Sequence, residues 1–424
     1  MYSDFYDYGL CDSKVHQKSI TFDKLTQEKR DIIFLSRRHD KFDNEKENYI
    51  LKERKDGEFK FGGYVGSFVY EGEQYTIKSR FGDLLLKEML KRVESILFNH
   101  ISIQNSDTSD ITEQILQISF INYLKKAKLN GFINSYTKKH YRDYTIHGKL
   151  DIKNFIKKDL PFSGKISSSK NELHPDVYVA KVLLKAYTII TKQNPKLKNI
   201  DTTLNNFLKE NSDGSEFRHS DLQKALNAKS IQNPMYKNYK KALELAKIII
   251  LKQKRDLNTS NDKRLNFGYL LYAPNLFEEY IKSLIEEVLE NDGRNFDLKD
   301  QYEITYTNNK KLRADYVIQG LDEKNIVVLD AKYRHFFTDE LAKRDIENLC
   351  QISRYIAAYQ TRVGILIYAM NSFKCEYNEQ DNLEPIYILE ILRNTKRGKE
   401  QEEIFNQDIK SFKEKLAEIL KKIK

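Results

Sequence analysis

The chain has 424 residues, 40% hydrophobic and 32% charged, so it can bury a sizeable core and has room for two or three domains. Its longest apolar run, Val363–Met370, is far shorter than the roughly 20 residues of a membrane helix, and its start lacks the pattern of a signal peptide. We therefore expect no membrane partner, and the three widely spaced cysteines, Cys11, Cys350 and Cys375, fit a reducing cytoplasm. The net charge of +10 is compatible with a nucleic-acid partner, and equally with a lysine-rich surface that binds none.

The first 257 residues predict an α+β region. Two β-rich runs, 64–70 and 74–78, flank a glycine turn and predict a hairpin. Apolar residues then recur at helical spacing over 84–97, 112–129, 174–192 and 239–254, and a strand with a turn is expected at 144–152. The polar stretch 255–264 is the best candidate for a boundary, which divides the chain into regions 1–257 and 258–424.

The second region begins with a helix that carries one candidate site residue. Pro274 and Asn275 precede apolar residues at helical spacing, and Glu278 falls inside the apolar arc. A carboxylate on a buried face needs a partner or a metal ion. The alternative is a capping box, in which Asn275 is the N-cap and Glu278 lies three residues later.

Two further runs predict strands. Apolar and polar residues alternate over 312–318, and the run 326–332 is apolar at its centre. In an antiparallel hairpin between them, opposed residue numbers sum to about 645, so Asp315 faces Asp330. Lys332 projects from the same face as Asp330. Two carboxylates this close repel each other unless a cation lies between them. Mg²⁺ prefers oxygen ligands and suits that position. Lys332 beside them would complete a site that hydrolyses a phosphodiester. The alternative is a buried aspartate–lysine ion pair.

A helix over 344–355 follows, and it places Gln351 and Tyr355 on one face. The Gln351 amide and the Tyr355 hydroxyl could contact a backbone phosphate or support the carboxylates. The alternative is that both residues belong to an ordinary polar face of the helix. Two more strands are expected, at 363–369 and 385–389. The C-terminal end is expected to form an amphipathic helix, which we interpret as packing on the protein and not as a ligand of calmodulin or a membrane. The sequence contains no phosphate-binding P-loop, so we expect no nucleotide to bind this chain.

These residues together resemble the PD-(D/E)xK nuclease core. Asp315 with Asp330-Ala331-Lys332 is similar to its acidic strand pair and lysine, Glu278 to its helix glutamate, and Gln351 with Tyr355 to the QxxxY element of RecB-like members. The chain as a whole resembles the McrC-type nuclease subunits of McrBC restriction systems. The resemblance rests on the four segments 276–278, 312–315, 328–333 and 351–355, and more weakly on 64–66, 77–78 and 147–151.

The resemblance implies an α/β nuclease domain, with a mixed sheet flanked by helices, over residues 258–424. It implies a DNA endonuclease that uses Mg²⁺, or alternatively Mn²⁺, held by Asp315, Asp330 and Glu278. It also implies that region 1–257 engages an McrB-like hexameric AAA+ GTPase, whose hydrolysis the chain stimulates while it cuts double-stranded DNA. Two alternatives stay open: a stand-alone RecB-like nuclease in repair or defence, and a non-catalytic regulator of an NTPase.

Overall fold

The computed structural model describes residues 4–8, 10–11, 20–21, 31–35, 49–53, 59–70, 73–93, 111–257, 267–307, 310–320, 324–336, 343–371, 386–392 and 401–423. Among these residues, no helix combines the length and the apolar character that crossing a membrane requires.

The described strands are β1 (Asp4–Tyr6), β2 (Leu10–Cys11), β3 (Ile20–Thr21), β4 (Asp31–Leu35), β5 (Tyr49–Glu53), β6 (Phe59–Phe61), β7 (Tyr64–Tyr70), β8 (Glu73–Lys78), β9 (Asn134–Asp143), β10 (Lys149–Leu150), β11 (Ile166–Pro175), β12 (Phe267–Tyr272), β13 (Asp297–Thr307), β14 (Lys310–Gln319), β15 (Asn325–Phe336), β16 (Val363–Asn371) and β17 (Ile386–Leu392). The described α-helices are α1 (Asp83–Val93), α2 (Ile111–Lys128), α3 (Ile152–Lys158), α4 (Val177–Gln193), α5 (Leu204–Glu210), α6 (His219–Leu226), α7 (Lys237–Leu257), α8 (Ala273–Asp292), α9 (Lys343–Tyr359) and α10 (Gln401–Lys422).

The chain divides into two compact units. One comprises Met1–Phe68, Gln74–Ile96 and Tyr269–Lys424, and the other comprises Val69–Glu73 and Leu97–Gly268. The boundary expected near residue 257 lies close to the last junction, whereas the junction near residue 97 has no counterpart in the sequence pattern. The first 68 residues therefore belong to the same compact unit as the C-terminal segment, and the functional division into 1–257 and 258–424 stays a prediction.

A mixed five-stranded sheet, in the order β13-β14-β15-β16-β17, forms the centre of the first unit. Strands β13, β14 and β15 are antiparallel neighbours, and β15, β16 and β17 are parallel ones. The expected strands and helices of this segment are all present. The sheet is held to α9 by a buried cluster that includes Val317, Val328, Ile352 and Leu366. The mixed sheet flanked by helices is thus confirmed.

The C-terminal helix α10 packs within this unit, as the sequence favoured. It contacts β17 and α8, and its apolar side chains Phe412, Leu416 and Leu420 are buried. Lys413 pairs with Glu287 of α8 at 2.5 Å. Apolar burial along one face, with a charged pair at its edge, accounts for the amphipathic pattern.

The strands before residue 80, together with β12, form two more sheets, of order β1-β8-β7-β12-β4 and β2-β6-β5-β3. Strands β7 and β8 are neighbours, which confirms the predicted hairpin, although residues 71–72 of its turn lie outside the described residues. Gly66 in β7 has φ +147°, and a Cβ there would lie 2.2 Å from the Tyr269 carbonyl oxygen. Glycine is required at this position because the neighbouring backbone approaches so closely.

The second unit combines helices with a small antiparallel sheet of order β10-β11-β9. Helices α2, α4 and α7 are present as expected, and α7 packs against both others. The strand expected at 144–152 is wrong in its bounds, since only Lys149–Leu150 form a strand there and the long strand β9 precedes it. Gly148 has φ +77° and turns the chain just before β10, so the β-rich residues 144–147 form a connection instead.

Candidate active site

The pairing of β14 with β15 brings the two central carboxylates together. Tyr316 pairs with Leu329 and Ile318 with Val327, so paired residue numbers sum to 645 and the predicted register is confirmed. Asp315 and Asp330 are the residues next to the pair of Tyr316 and Leu329. Oδ2 of Asp315 accepts a hydrogen bond of 2.8 Å from the Ala331 amide, which fixes the carboxylate against the neighbouring strand.

Lys332 forms an ion pair with Asp330, its neighbour on the same face of β15. The Asp330 residue is only 2% exposed, and 19% of the lysine side chain is exposed. Burial lowers the pKa of Lys332, but the charges of Asp330 and Asp315 outweigh it and hold that pKa above its ordinary value. The ammonium group therefore keeps its positive charge at neutral pH.

The pKa of Asp315 is well above its usual range. Burial is the largest cause, followed by the negative charges of Asp330 and Glu278, while the Lys332 ammonium and the Ala331 amide oppose the shift. Three acidic side chains thus influence one another, and one lysine compensates only part of their charge. Such a site favours an additional positive charge.

Gln351 and Tyr355 on α9 connect the lysine to the other strand. Lys332 Nζ donates to Gln351 Oε1 at 3.4 Å, and Gln351 Nε2 donates to the Tyr355 hydroxyl at 2.8 Å. The Tyr355 hydroxyl in turn donates to the carbonyl oxygen of Arg313 on β14 at 2.8 Å. Burial, followed by the nearby carboxylates, raises the pKa of Tyr355, so its hydroxyl keeps the proton that it donates. The two side chains therefore link Lys332 to β14 by hydrogen bonds.

Tyr359, one turn beyond Tyr355, extends this hydrogen bonding and has no counterpart in the sequence prediction. Its hydroxyl accepts from the Ala314 amide at 3.0 Å and contacts the Leu312 carbonyl oxygen at 2.9 Å. It therefore holds the strand directly beside Asp315. The spacing of Gln351, Tyr355 and Tyr359 at four-residue steps on one helix was the available signal.

Glu278 lies near these groups. Helix α8 begins at Ala273 with Tyr272 as its N-cap, so Asn275 is already helical and the capping-box alternative is wrong. The Glu278 side chain is half-buried, and its Oε2 accepts from Gln301 Nε2 at 3.3 Å. Gln301 has a positive φ of 48°, an irregularity in β13 that accompanies this contact. The negative charge of Glu278 is one of the causes of the raised pKa of Asp315.

The donors are of the kind that Mg²⁺ uses. The described residues contain no cluster of three or more His, Cys, Asp or Glu side chains placed to hold a metal ion. However, Mg²⁺ in proteins is commonly held by one or two carboxylates together with water and substrate phosphate. Asp330 is buried and Asp315 is half-buried, and Lys332 balances only part of the negative charge, so the two carboxylates fit that requirement.

Arg334 is a further cation at the site that the sequence did not suggest. It follows Lys332 by two residues on β15, and its positive charge opposes the raised pKa of Lys332. It also opposes the raised pKa of Tyr368, the β16 residue that pairs with Lys332.

Comparisons with known proteins bear on the fold and the family of the chain. One solved structure, a refined half-complex from a tetradecameric assembly of Thermococcus gammatolerans McrB AAA+ hexamers with bound McrC, aligns with 99% of this chain and 100% of its own, at TM-score 0.57 and 15% identity. That likeness shows a shared fold. A cryo-EM structure of the Thermococcus gammatolerans McrBC complex aligns with 68% of this chain and 88% of its own, at TM-score 0.38 and 16% identity. No curated protein matches the chain.

The family comparison covers most of the sequence. The family described as McrBC 5-methylcytosine restriction system component matches residues 59–369, a range that contains all six predicted site residues. This match includes the strand pair with Asp315 and Asp330 and the helix with Gln351. The chain belongs to the McrBC 5-methylcytosine restriction system component family.

Proposed function

We propose that the chain is the Mg²⁺-dependent endonuclease subunit of a McrBC-type restriction system, acting on double-stranded DNA in the cytoplasm. One observation carries the proposal: Asp315 and Asp330 lie on adjacent antiparallel strands beside a protonated lysine, with more negative than positive charge. The mixed sheet and its helices, in this reading, are a PD-(D/E)xK core. Membership of the restriction family supplies the biological setting.

Each residue has a definite part in this proposal. Asp315 and Asp330 hold Mg²⁺, or alternatively Mn²⁺, and Glu278 adds negative charge nearby. A bound ion of this kind polarises the phosphodiester group and lowers the pKa of a water. Lys332 keeps its proton and stabilises the negative charge that grows on the phosphate oxygens.

Gln351 and Tyr355 have a supporting part. Their hydrogen-bond chain holds the Lys332 ammonium at a fixed place relative to β14, the strand that carries Asp315. Fixing a charged group before the reaction removes the cost of orienting it during the reaction. The two residues therefore contribute by position and exchange no proton with the substrate.

The partner in this proposal is a hexameric AAA+ GTPase, whose hydrolysis the chain stimulates while binding no nucleotide itself. The solved relative is a complex of McrB AAA+ hexamers with McrC, and its fold is shared along the whole chain. The unit that contains residues 97–268 supports docking, because large apolar side chains such as Tyr136, Ile152 and Phe162 are more than half exposed. Strands β7 and β8 are less suited, since Phe68, Tyr75 and Ile77 are buried.

The test is cleavage of 5-methylcytosine-containing plasmid DNA with GTP and Mg²⁺, by the chain co-purified with a co-expressed AAA+ partner. Asp330→Asn and Lys332→Ala are expected to reduce cleavage by about 100-fold or more, because each removes a charge that stabilises the reacting phosphate. Asp297→Asn is the matched control, a carboxylate of the same sheet whose side chain is 60% exposed. It should cleave as the wild type does.

The outcomes separate the alternatives. Wild-type rates in Asp330→Asn would refute the metal assignment and leave the Asp330–Lys332 pair a structural ion pair. Full activity of the purified chain alone would favour a stand-alone nuclease. Absence of Mg²⁺ and Mn²⁺ binding by calorimetry, with GTPase stimulation intact, would favour a non-catalytic regulator.

A further inference from the structure

A β-bulge follows Lys332 directly on β15. Lys332 pairs with Tyr368 of β16, whereas His335 pairs with Met370, so β15 contains one extra residue between these pairs. A bulge bends the strand and re-aims the side chains beside it, and bulges are frequent next to active sites. The direction of the Lys332 side chain therefore depends on what holds this bulge.

The bulge is held by an arginine from the N-terminal part of the chain. Arg80, which follows β8, donates a guanidinium hydrogen bond to the carbonyl oxygen of Tyr333 inside the bulge. A bulge leaves backbone groups without their sheet partners, and a buried carbonyl needs a donor. Arg80 supplies that donor from a segment some 250 residues away in sequence.

Arg80 is itself fixed by a buried carboxylate. Its Nε lies 3.6 Å from Oδ2 of Asp7, and its backbone amide donates to Oδ1 of Asp7 at 2.6 Å. The Asp7 side chain is fully buried, whereas 25% of the Arg80 side chain is exposed. The guanidinium carbon also lies 4.6 Å from the ring centroid of Tyr8 and 5.4 Å from that of Tyr333. The guanidinium plane thus has contacts on several sides, which leaves it little freedom to move.

The Tyr333 side chain is anchored in the same place. Its hydroxyl lies 3.0 Å from the hydroxyl of Ser79, and its ring meets Phe81 edge-on at 4.9 Å and Phe277 at 5.6 Å. The residue after Lys332 is therefore fixed by both its side chain and its carbonyl group. Arg80 contributes to both, through its hydrogen bond to the carbonyl oxygen and through its guanidinium beside the Tyr333 ring.

We propose that Arg80, held by Asp7, is a positioning residue for Lys332: it fixes the bulge that aims the ammonium group at Asp330 and Gln351. The expected loss of DNA cleavage rests on the proposed nuclease function. The expected change in the orientation of the Lys332 side chain does not. The contacts of Arg80 described above are with Asp7, Tyr8 and Tyr333, and none of these is a predicted site residue. It acts through the backbone of β15.

The test uses Asp7→Asn combined with Arg80→Gln, which removes both charges and leaves no buried carboxylate unpaired. A second variant, Arg80→Lys, keeps the charge and one donor but loses the planar fork. Arg92→Gln and Arg92→Lys are the matched controls, because 26% of the Arg92 side chain is exposed and it pairs with Glu88 and Glu287 in the same unit. All variants are first checked for folding by circular dichroism and thermal unfolding.

Two readouts are taken. With the AAA+ partner and methylated DNA, kcat is expected to fall by about 10- to 100-fold in the double variant, with KM for DNA and the Mg²⁺ requirement unchanged. Arg80→Lys should give an intermediate kcat. In the absence of DNA, an amine-reactive reagent at one fixed pH should modify Lys332 faster in the double variant than in the wild type, as measured by peptide mass spectrometry.

A folded double variant with wild-type kcat and wild-type modification of Lys332 would overturn the proposal. If the double variant does not fold, Arg80→Lys decides: a kcat equal to that of Arg92→Lys overturns the proposal, and a lower kcat supports it. If the wild type does not cut DNA, the nuclease function fails, and the modification rate of Lys332 alone decides whether Arg80 positions the lysine.

Discussion

Replacing Asp315 by asparagine should stabilise the metal-free protein while it removes the response to Mg²⁺. Directly opposed strand residues have Cβ atoms about 5 Å apart, and two unit charges at that distance repel by about 3 kcal/mol at an effective dielectric constant near 20. Lys332 offsets part of this repulsion, and the Ala331 amide loses about 1 kcal/mol when its acceptor becomes neutral. The expected net gain is about 1–2 kcal/mol.

The pH dependence of this gain follows from the raised pKa of Asp315. Below pH about 4, Asp315 is protonated in both the folded and unfolded states, so the variant and the wild type should be equally stable. As the pH rises through the folded-state pKa, the wild type loses stability because the folded protein must release a proton that it holds more tightly. The gain should therefore be largest at neutral pH.

Thermal unfolding in EDTA and in Mg²⁺ measures both effects. In EDTA at pH 7 the variant should unfold at a higher temperature, by about 2–8 °C at about 2–4 °C per kcal/mol. Saturating Mg²⁺, at about 100 times its Kd, should stabilise the wild type by about 2.7 kcal/mol and leave the variant unchanged. The reasoning is refuted if the variant is the less stable protein in EDTA at pH 7, or if Mg²⁺ still stabilises it.

Three further predictions concern packing around the site. Tyr359→Phe should cost about 1–3 kcal/mol, because it leaves the buried Ala314 amide without its acceptor; an unchanged urea midpoint would contradict this. Gly364→Val should cost about 1–3 kcal/mol in thermal unfolding, since even a Cβ there would lie 2.7 Å from a side chain of α9, and a neutral result would mean that α9 shifts freely. Phe412→Ala should cost about 3–5 kcal/mol in urea unfolding, while the control Lys410→Ala, 77% exposed, should cost almost nothing.

The local pattern was sufficient for the strand register of the site. The turn expected near Asp322-Glu323 sets the sum of opposed residue numbers, and the apolar pattern excludes a slip of one residue, which would turn every side chain to the opposite face. That constraint placed Asp315 opposite Asp330 and put Lys332 on the same face. The helical periodicity of α9 likewise placed Gln351 beside Tyr355.

The parts that the sequence did not predict depend on contacts between distant segments. Arg80 lies in a polar run with no motif, and only the folded chain brings it to Tyr333. The bulge after Lys332 has no glycine to mark it in the sequence. The sequence left two roles for Glu278, a carboxylate on the buried face and a member of a capping box, because it did not define the first residue of α8. The observed start at Ala273 excludes the capping box.

The adjacency of β7 and β12 has a consequence for biosynthesis. These two strands are neighbours in one sheet, and Gly66 approaches the Tyr269 carbonyl, a contact that spans roughly 200 positions and gives the sheet a high contact order. On the ribosome, residues 97–268 emerge and can collapse before the strand that completes the sheet exists. Strand β4 and the edge of β7 that faces β12 therefore wait unpaired until residues 267–272 have been made, so this sheet is the step at which we expect the nascent chain to need a chaperone.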